Sequence, residues 1–295
     1  APYSGYPAFS APEALATTLA GLGFDILQTA NTYSIQNGLS GLTGTINTIR
    51  NEGMNSLGTY LSADDKAQNQ VVVKEVNGIK LAFIGFTKGV NNMTLPEGSD
   101  YCVDLLYTDY YTTYNTINRT GIQAALAAAK ATEPDAIIAM VHWGSEYEEH
   151  VGSSQEKRAR ILAENGVDAI FGSHPHVIQT AEMLSVETDA GIKTVPVAYS
   201  MGNFISNQQN RPCDMGVIFE ITAHKSGETG ETAVTGASFV PTVVYRGHSG
   251  HRDTYEVLPC GIYKEKSDHP KRHRCETVWE HEVNLMGAGF TALAE

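Results

Sequence analysis

Leu15, Leu19 and Leu22 recur at helical spacing near the start of the chain, and Gly21 and Gly23 follow as a stop. Ser10-Ala11-Pro12-Glu13 precedes them with the form of a capping box, Ser10 as N-cap and Glu13 reaching back. Residues 24–29 form a short apolar run suited to a buried strand. A second helical stripe follows at Leu42, Ile46 and Ile49, with Gly53 near its end. Residues 71–76 and 79–86 are rich in β-branched and apolar residues, and Asn77-Gly78 between them is a strong hairpin signal. Residues 120–131 are alanine-rich and helical. Residues 136–141 form a buried-type strand stopping at His142. Residues 155–164 form a helix closed by Asn165-Gly166. Two further strands, 167–171 and 195–199, run into Gly172-Ser173-His174 and Gly202-Asn203-Phe204. Beyond Val217 strands follow one another without helices, and from about Pro259 onward the pattern reads as polar and irregular.

Helices and strands therefore alternate first and strands pair later, which predicts a layered α/β protein with mixed sheets. At 295 residues, 42% hydrophobic and 18% charged, the chain can bury a sizeable core. Its formal net charge of −13 argues against a nucleic-acid backbone or an anionic membrane as main partner. The one basic run, residues 271–274, reads as a solvated loop. No apolar stretch is long enough to span a bilayer. The first residue is Ala1 and not Met, which reads as a processed or trimmed chain with room for a leader or anchor ahead of it. Cys102, Cys213, Cys260 and Cys275 match no CxxC motif; Cys260 and Cys275 could bridge a C-terminal loop in an oxidising compartment.

Three histidines stand where buried strands give out: His142 in Val-His-Trp-Gly, and His174 and His176 around Pro175. Loops beyond the carboxyl ends of strands gather ligands in open α/β folds. In an extended segment, residues two apart share a side, and Pro175 favours extension at His174. Such a His-x-His suits zinc, iron or manganese. Capping of strand ends by hydrogen bonds is the alternative use of the same residues.

The segments His142-Trp143-Gly144-Ser145-Glu146-Tyr147, Gly172-Ser173-His174-Pro175-His176-Val177 and Tyr199-Ser200-Met201-Gly202-Asn203-Phe204, with Gln155, resemble the capsule-synthesis (poly-γ-glutamate biosynthesis, CapA-type) family, in order and spacing. Gly5-Tyr6-Pro7-Ala8-Phe9, Gly23-Phe24-Asp25 and Ala30-Asn31 with Gly38 and Gly41-Leu42 extend the likeness, which covers about residues 3–222. That family is related to calcineurin-like metallophosphoesterases. The resemblance implies a four-layer α/β/β/α sandwich of the metallophosphoesterase type, here lacking its N-terminal strand or strands. It is expected to fill residues 1–258, with 259–295 as a C-terminal extension. It implies divalent metal, manganese, iron or zinc, held by His142, His174 and His176. Asn203 then packs or hydrogen-bonds to a ligand side chain.

Two departures from the family pattern stand out. No Asp-x-His occurs in the chain, so the early carboxylate of a two-metal centre is missing. Where the family has Asn-Asn-His, this chain has Asn31-Thr32-Tyr33, which puts a threonine at a ligand position and Tyr33 at the position of the general acid. A competent two-metal centre is therefore not expected from these residues alone.

Weaker candidates are Glu146, as a ligand, substrate contact or solvated loop residue, and Glu149 beside it. Trp143 and Tyr147 are expected to line the cleft or the core. Cys260, His269, His273 and Cys275 match no zinc spacing, and His248 and His251 flank Gly250 in a loop. The expected role is metal-dependent hydrolase or transferase chemistry in capsule or poly-γ-glutamate assembly at the cell surface. Its substrate would be an anionic polymer or a phosphorylated small molecule, with capsule-assembly proteins as further partners. A non-catalytic binding or assembly protein on the same fold is the alternative.

Overall fold

The computed structural model describes residues 2–188, 191–208, 210, 212–287 and 289–295. The chain divides into two compact units, Ala1–His142 and Trp143–Glu295.

In the first unit, α1 (Ala14–Gly21) starts three residues later than the Ser10 signal implies, and no side chain caps it. Ser10 is held in a backbone bridge to Ser4, so its hydroxyl is not at the helix start. The Glu13 carboxylate instead accepts the Tyr3 hydroxyl at 2.8 Å. The helix is also rotated from the expected stripe. Leu15 and Leu22 are 50% and 71% exposed, and Ala16 turns inward against Ile49 and Met54.

Strand β1 (Ile26–Gln28) leads into α2 (Gly38–Asn51), whose Leu42, Ile46 and Ile49 are all buried, and α2 returns the chain to β2 (Asn55–Leu57), parallel to β1. This is the crossover that parallel pairing requires. Helix α3 (Ala63–Asn69) is capped by Ser62, which accepts the Asp65 amide at 3.0 Å, and Asp65 in turn takes both guanidinium nitrogens of Arg50. Strands β3 (Val72–Val76) and β4 (Ile79–Thr87) form the expected hairpin. Asn77 (φ 52°) and Gly78 (φ 78°) are both left-handed, as a two-residue turn of the primed type demands.

Helix α4 (Arg119–Ala131) buries Ile122, Ala125, Leu126 and Ala129 and delivers β5 (Ala136–His142) parallel to β4, with Thr87 opposite His142. The Gln28 amide lies 3.2 Å from the carbonyls of Ala30, Phe86 and Met140, and so ties β1 to the carboxyl ends of β4 and β5.

In the second unit, α5 (Ser153–Glu164) precedes β6 (Ala169–Ser173), β7 (Ala181–Thr188) and β8 (Gly191–Ala198). Strand β8 lies between a parallel β6 and an antiparallel β7. Strand β7 leaves little mark on the sequence pattern, because only Leu184 and Val186 of its eight residues are buried and the apolar alternation is short. Strands β9 (Met215–Lys225), β10 (Thr232–Ser249) and β11 (Arg252–Pro259) form the expected antiparallel run, in continuous register between β10 and β11 and with a register shift between Val234 and Gly236 in the pairing of β10 with β9.

The stretch beyond Pro259 is not irregular. It holds α6 (Cys260–Tyr263), α7 (Arg272–Met286) and β12 (Phe290–Ala292), which adds to β10 in parallel. The buried stripe of α7 is Cys275, Val278, Glu282 and Met286. Its spacing is helical, but a cysteine and a glutamate dilute its hydropathy, which hid the helix from the periodic reading. Cys260, Cys275, Val278 and Met286 share one core with Phe219, Phe239, Val243 and Leu258 of the sheet. The protein is thus a mixed α/β chain, as expected.

Candidate functional site

The second unit builds its site on the loop after β6. The Trp143 amide donates to the Ser173 carbonyl at 3.0 Å, and the Tyr147 amide to the Pro175 carbonyl at 2.8 Å. These contacts turn the backbone left-handed at both histidines: φ is 105° at His174 and 61° at His176, with Tyr147 at 64°. The segment is therefore not extended, contrary to what Pro175 suggests, and the period-two argument for a shared side does not apply. Non-glycine residues in this region carry strain of about 1–3 kcal/mol each and gather at working sites.

A closed ring of contacts fixes His176. Its imidazole stacks on the Tyr147 ring (centroids 5.8 Å apart, 24° between planes), and its Nδ1 lies 3.0 Å from Asn203 Oδ1. Asn203 Nδ2 donates to Gln208 Oε1 and to the Cys213 carbonyl, each at 2.9 Å. Gln208 Nε2 donates to the Tyr147 hydroxyl at 3.2 Å and closes the ring. Because both donors of the Asn203 amide are spent on acceptors, its oxygen must face His176. That assigns the proton to Nδ1 and leaves the lone pair on Nε2. His174 is buried beside this ring.

Behind the ring, Gln155 Nε2 donates to Gln179 Oε1 at 2.8 Å, and Gln179 Nε2 donates to the carbonyls of Glu148 and His150. Both glutamines are buried, and they pin the loop that carries Tyr147. Trp143 is wholly buried, stacks on Tyr199 and donates its indole N–H to the Tyr199 carbonyl at 2.8 Å, so it belongs to the core. Burial, and then the Glu182 carboxylate that its hydroxyl meets, push the Tyr199 phenol well up. Glu146 is exposed. Gln208 and Gln179 carry no sequence signal of their own; only the folded loops show their roles.

In the first unit, the Asn31 carboxamide oxygen accepts the Tyr33 amide at 2.7 Å, and Ser34 Oγ accepts the Asn31 amide at 2.9 Å. The Asn31 side chain thus builds its own turn. Thr32 is buried, and the Tyr33 ring meets Phe9 edge-on at 4.8 Å. His142 ends β5, half-buried, and its carbonyl accepts the Lys88 amide at 2.7 Å.

Divalent metal, expected from the family resemblance, needs several hard or borderline donors converging on one point. Among the described residues, no group of three or more His, Cys, Asp or Glu side chains is arranged to hold an ion. The C-terminal candidates resolve in the same direction. His269 packs against the rings of Tyr245 and Tyr263, His273 pairs with Glu276, and His248 pairs with Asp253.

Residues 1–208 match the family model described as bacterial capsule synthesis protein PGA_cap. The PGA biosynthesis protein CapA of Bacillus subtilis (strain 168) is 25% identical over 197 residues, covering 64% of this chain and 44% of the relative. The capsule biosynthesis protein CapA of Bacillus anthracis is 26% identical over 202 residues, 68% of this chain and 44% of the relative. The chain thus spans under half the length of these two relatives. A Staphylococcus aureus structure, solved as a candidate 5′-nucleotidase, superposes with a TM-score of 0.51 at 16% identity, over 91% of this chain and 44% of that one. That likeness is one of fold.

Proposed function

The chain belongs to the bacterial capsule synthesis protein PGA_cap family, and from that premise we propose that it serves capsule or poly-γ-glutamate assembly at the cell surface as a binding module on a metallophosphoesterase-type scaffold. The ligand is the anionic polymer or a phosphorylated precursor of it, and it meets the loop of His174 and His176. One observation carries this reading: the ring of His176, Asn203, Gln208 and Tyr147 is held in a strained, preorganised form. Asn31, spent on its turn, and Thr32 and Tyr33 at the ligand and acid positions support it from the first unit.

The ligand's amide and carboxylate groups suit a mixed set of donors and acceptors. The Nε2 of His176, the Tyr147 hydroxyl and the Gln208 amide supply that set. With a formal net charge of −13, the protein repels a polyanion at long range. Binding should therefore strengthen as salt screens that repulsion, the reverse of a charge-driven site.

A second reading is metal-dependent hydrolase or transferase chemistry with a partly degraded site. It is favoured by the tautomer of His176, whose Nδ1–H is held by Asn203 and whose Nε2 keeps its lone pair, as in histidines that ligate metals.

The two readings separate in one set of measurements. Binding of poly-γ-glutamate is followed by calorimetry at two salt concentrations, and turnover of an aryl phosphate with added manganese or zinc. Polymer binding that is lost in His176→Ala, without turnover, is the expected result. Turnover that disappears in His174→Ala would replace the binding reading with the catalytic one. Neither binding nor turnover would end both.

A further inference from the structure

Outside the histidine loop, the chemistry-bearing residues that come together most closely are two thiols. Cys260 opens α6 and Cys275 lies in the first turn of α7, fifteen positions apart in the sequence. Both are free and wholly buried, and both belong to the core that holds Leu258, Val278 and Met286. Cys260 Sγ donates to the Leu258 carbonyl at 3.8 Å, and the two helices that carry the thiols pack on each other. Cys213 lies elsewhere in the second unit, and Cys102 is part of a core cluster of the first. We propose that Cys260 and Cys275 close an intramolecular disulfide that fastens α6 to α7 when the chain folds in an oxidising compartment.

The two thiols are chemically unequal, and this orders the steps. Cys260 beside it, with Lys271 and Arg274 adding to the effect, pulls the Cys275 thiol down. Cys275 in turn, then burial and the charge of Glu282, push Cys260 up. Cys275 is therefore the attacking sulfur. Its thiolate attacks one sulfur of a small-molecule disulfide such as glutathione disulfide, forms a mixed disulfide and expels one glutathione thiolate. Cys260 gives its proton to that thiolate and attacks the sulfur of Cys275, which closes the protein disulfide and expels the second glutathione. The two protein thiols are oxidised by two electrons, and one small disulfide is reduced to two thiols. Since both sulfurs are shielded in the folded chain, the exchange takes place late in folding, once α6 and α7 have met but before the core closes over them.

The inference stands on the α6–α7 geometry and not on the proposed binding role, and its test is independent of that role. The full chain is refolded from denaturant in a mixture of reduced and oxidised glutathione, alkylated under denaturing conditions and digested for mass analysis. A linked pair of peptides carrying Cys260 and Cys275, about 2 Da lighter than the two separate thiol peptides, with Cys102 and Cys213 alkylated, is expected. The oxidised protein should melt about 5 °C or more above the reduced one. Four alkylated cysteines, or bridges to Cys102 or Cys213, would overturn the proposal. Because each cysteine is buried and a serine at any of them could impair folding, thiol titration of the unsubstituted chain under denaturing conditions provides the second arm. Its thiol titre must fall from four to two on oxidative refolding, and a titre that stays at four rejects the bridge.

Discussion

Asn203 holds His176: the 3.0 Å contact between Oδ1 and Nδ1 has its direction set by the amide's other end, which donates to Cys213 and Gln208. Removing the amide by Asn203→Ala leaves the Cys213 carbonyl and the His176 N–H without their partner. The expected cost is about 1–3 kcal/mol in urea unfolding. Asn203→Asp keeps an oxygen toward His176 but loses both donations, and should fall between Ala and wild type. Gln208→Ala, at the rim of the same ring, should cost less than Asn203→Ala. Equal costs would mean that the ring does not act through Asn203.

Gly172 is required by a close approach, not by its dihedral angles. A Cβ there would lie 2.1 Å from the Tyr199 carbonyl oxygen, 2.7 Å from that of Ala198 and 2.7 Å from the Trp143 indole nitrogen. Two of these are backbone atoms and the third belongs to a wholly buried ring, so nothing can move aside cheaply. Gly172→Ala should destabilise by about 2–3 kcal/mol and should break the indole bond to Tyr199. Near-UV circular dichroism of the buried Trp143 reports that loss. Gly144→Ala, whose new methyl would meet only the side chain of Gln155 but whose φ is 80°, is a useful comparison for strain without backbone collision.

How much of this was legible in the sequence differs by level. The hairpin at Asn77-Gly78, the stripe of α2 and the strand ends at His142 and Ser173 are local patterns, and local patterns fix them. The helix at α7 was not legible, because two of its four inward residues are Cys275 and Glu282, which a hydropathy period does not count as core. At the site, the motif pointed to His174, His176 and Asn203. It could not give the left-handed turns, since these come from amides of Trp143 and Tyr147 captured across loops. Gln208 and Gln179 were invisible for the same reason: an amide in a polar loop shows its partner only once the chain has folded.

Arg274 and Asp214 form a bidentate ion pair, with side chains only 9% and 6% exposed. Breaking it from one side leaves a charge buried. Arg274→Met should therefore cost about 3–5 kcal/mol, whereas Asp214→Asn/Arg274→Met together should recover part of that loss. Urea unfolding of the two single variants and the double one closes the cycle. If the double variant is as unstable as the sum of the singles, the pair is not coupled and the prediction fails.

Glu282 supplies a pH signature with a definite sign. Its carboxyl lies wholly buried on the inner stripe of α7, and neither oxygen has a hydrogen-bond partner among the described residues. Burial pushes its pKa well above the ordinary carboxylate value, against a smaller downward pull from Arg274. Arg274 itself is engaged with Asp214, and the charged group's other neighbour is the Cys260 thiol of α6, which Glu282 pushes up. A raised folded pKa means that the acid is protonated in the folded chain where the unfolded chain has already ionised. The associated stability is fully present below the unfolded value, about 4.3, and is lost as pH rises from there toward the folded value. Glu282→Leu removes both the titration and the buried oxygens. It should stabilise the protein by about 1–3 kcal/mol at neutral pH, with the advantage over wild type shrinking as pH falls to 4. Comparing the two proteins at each pH cancels every other titrating group. An advantage that grows on acidification would show that the carboxylate is ionised and stabilised in the fold, contrary to its surroundings.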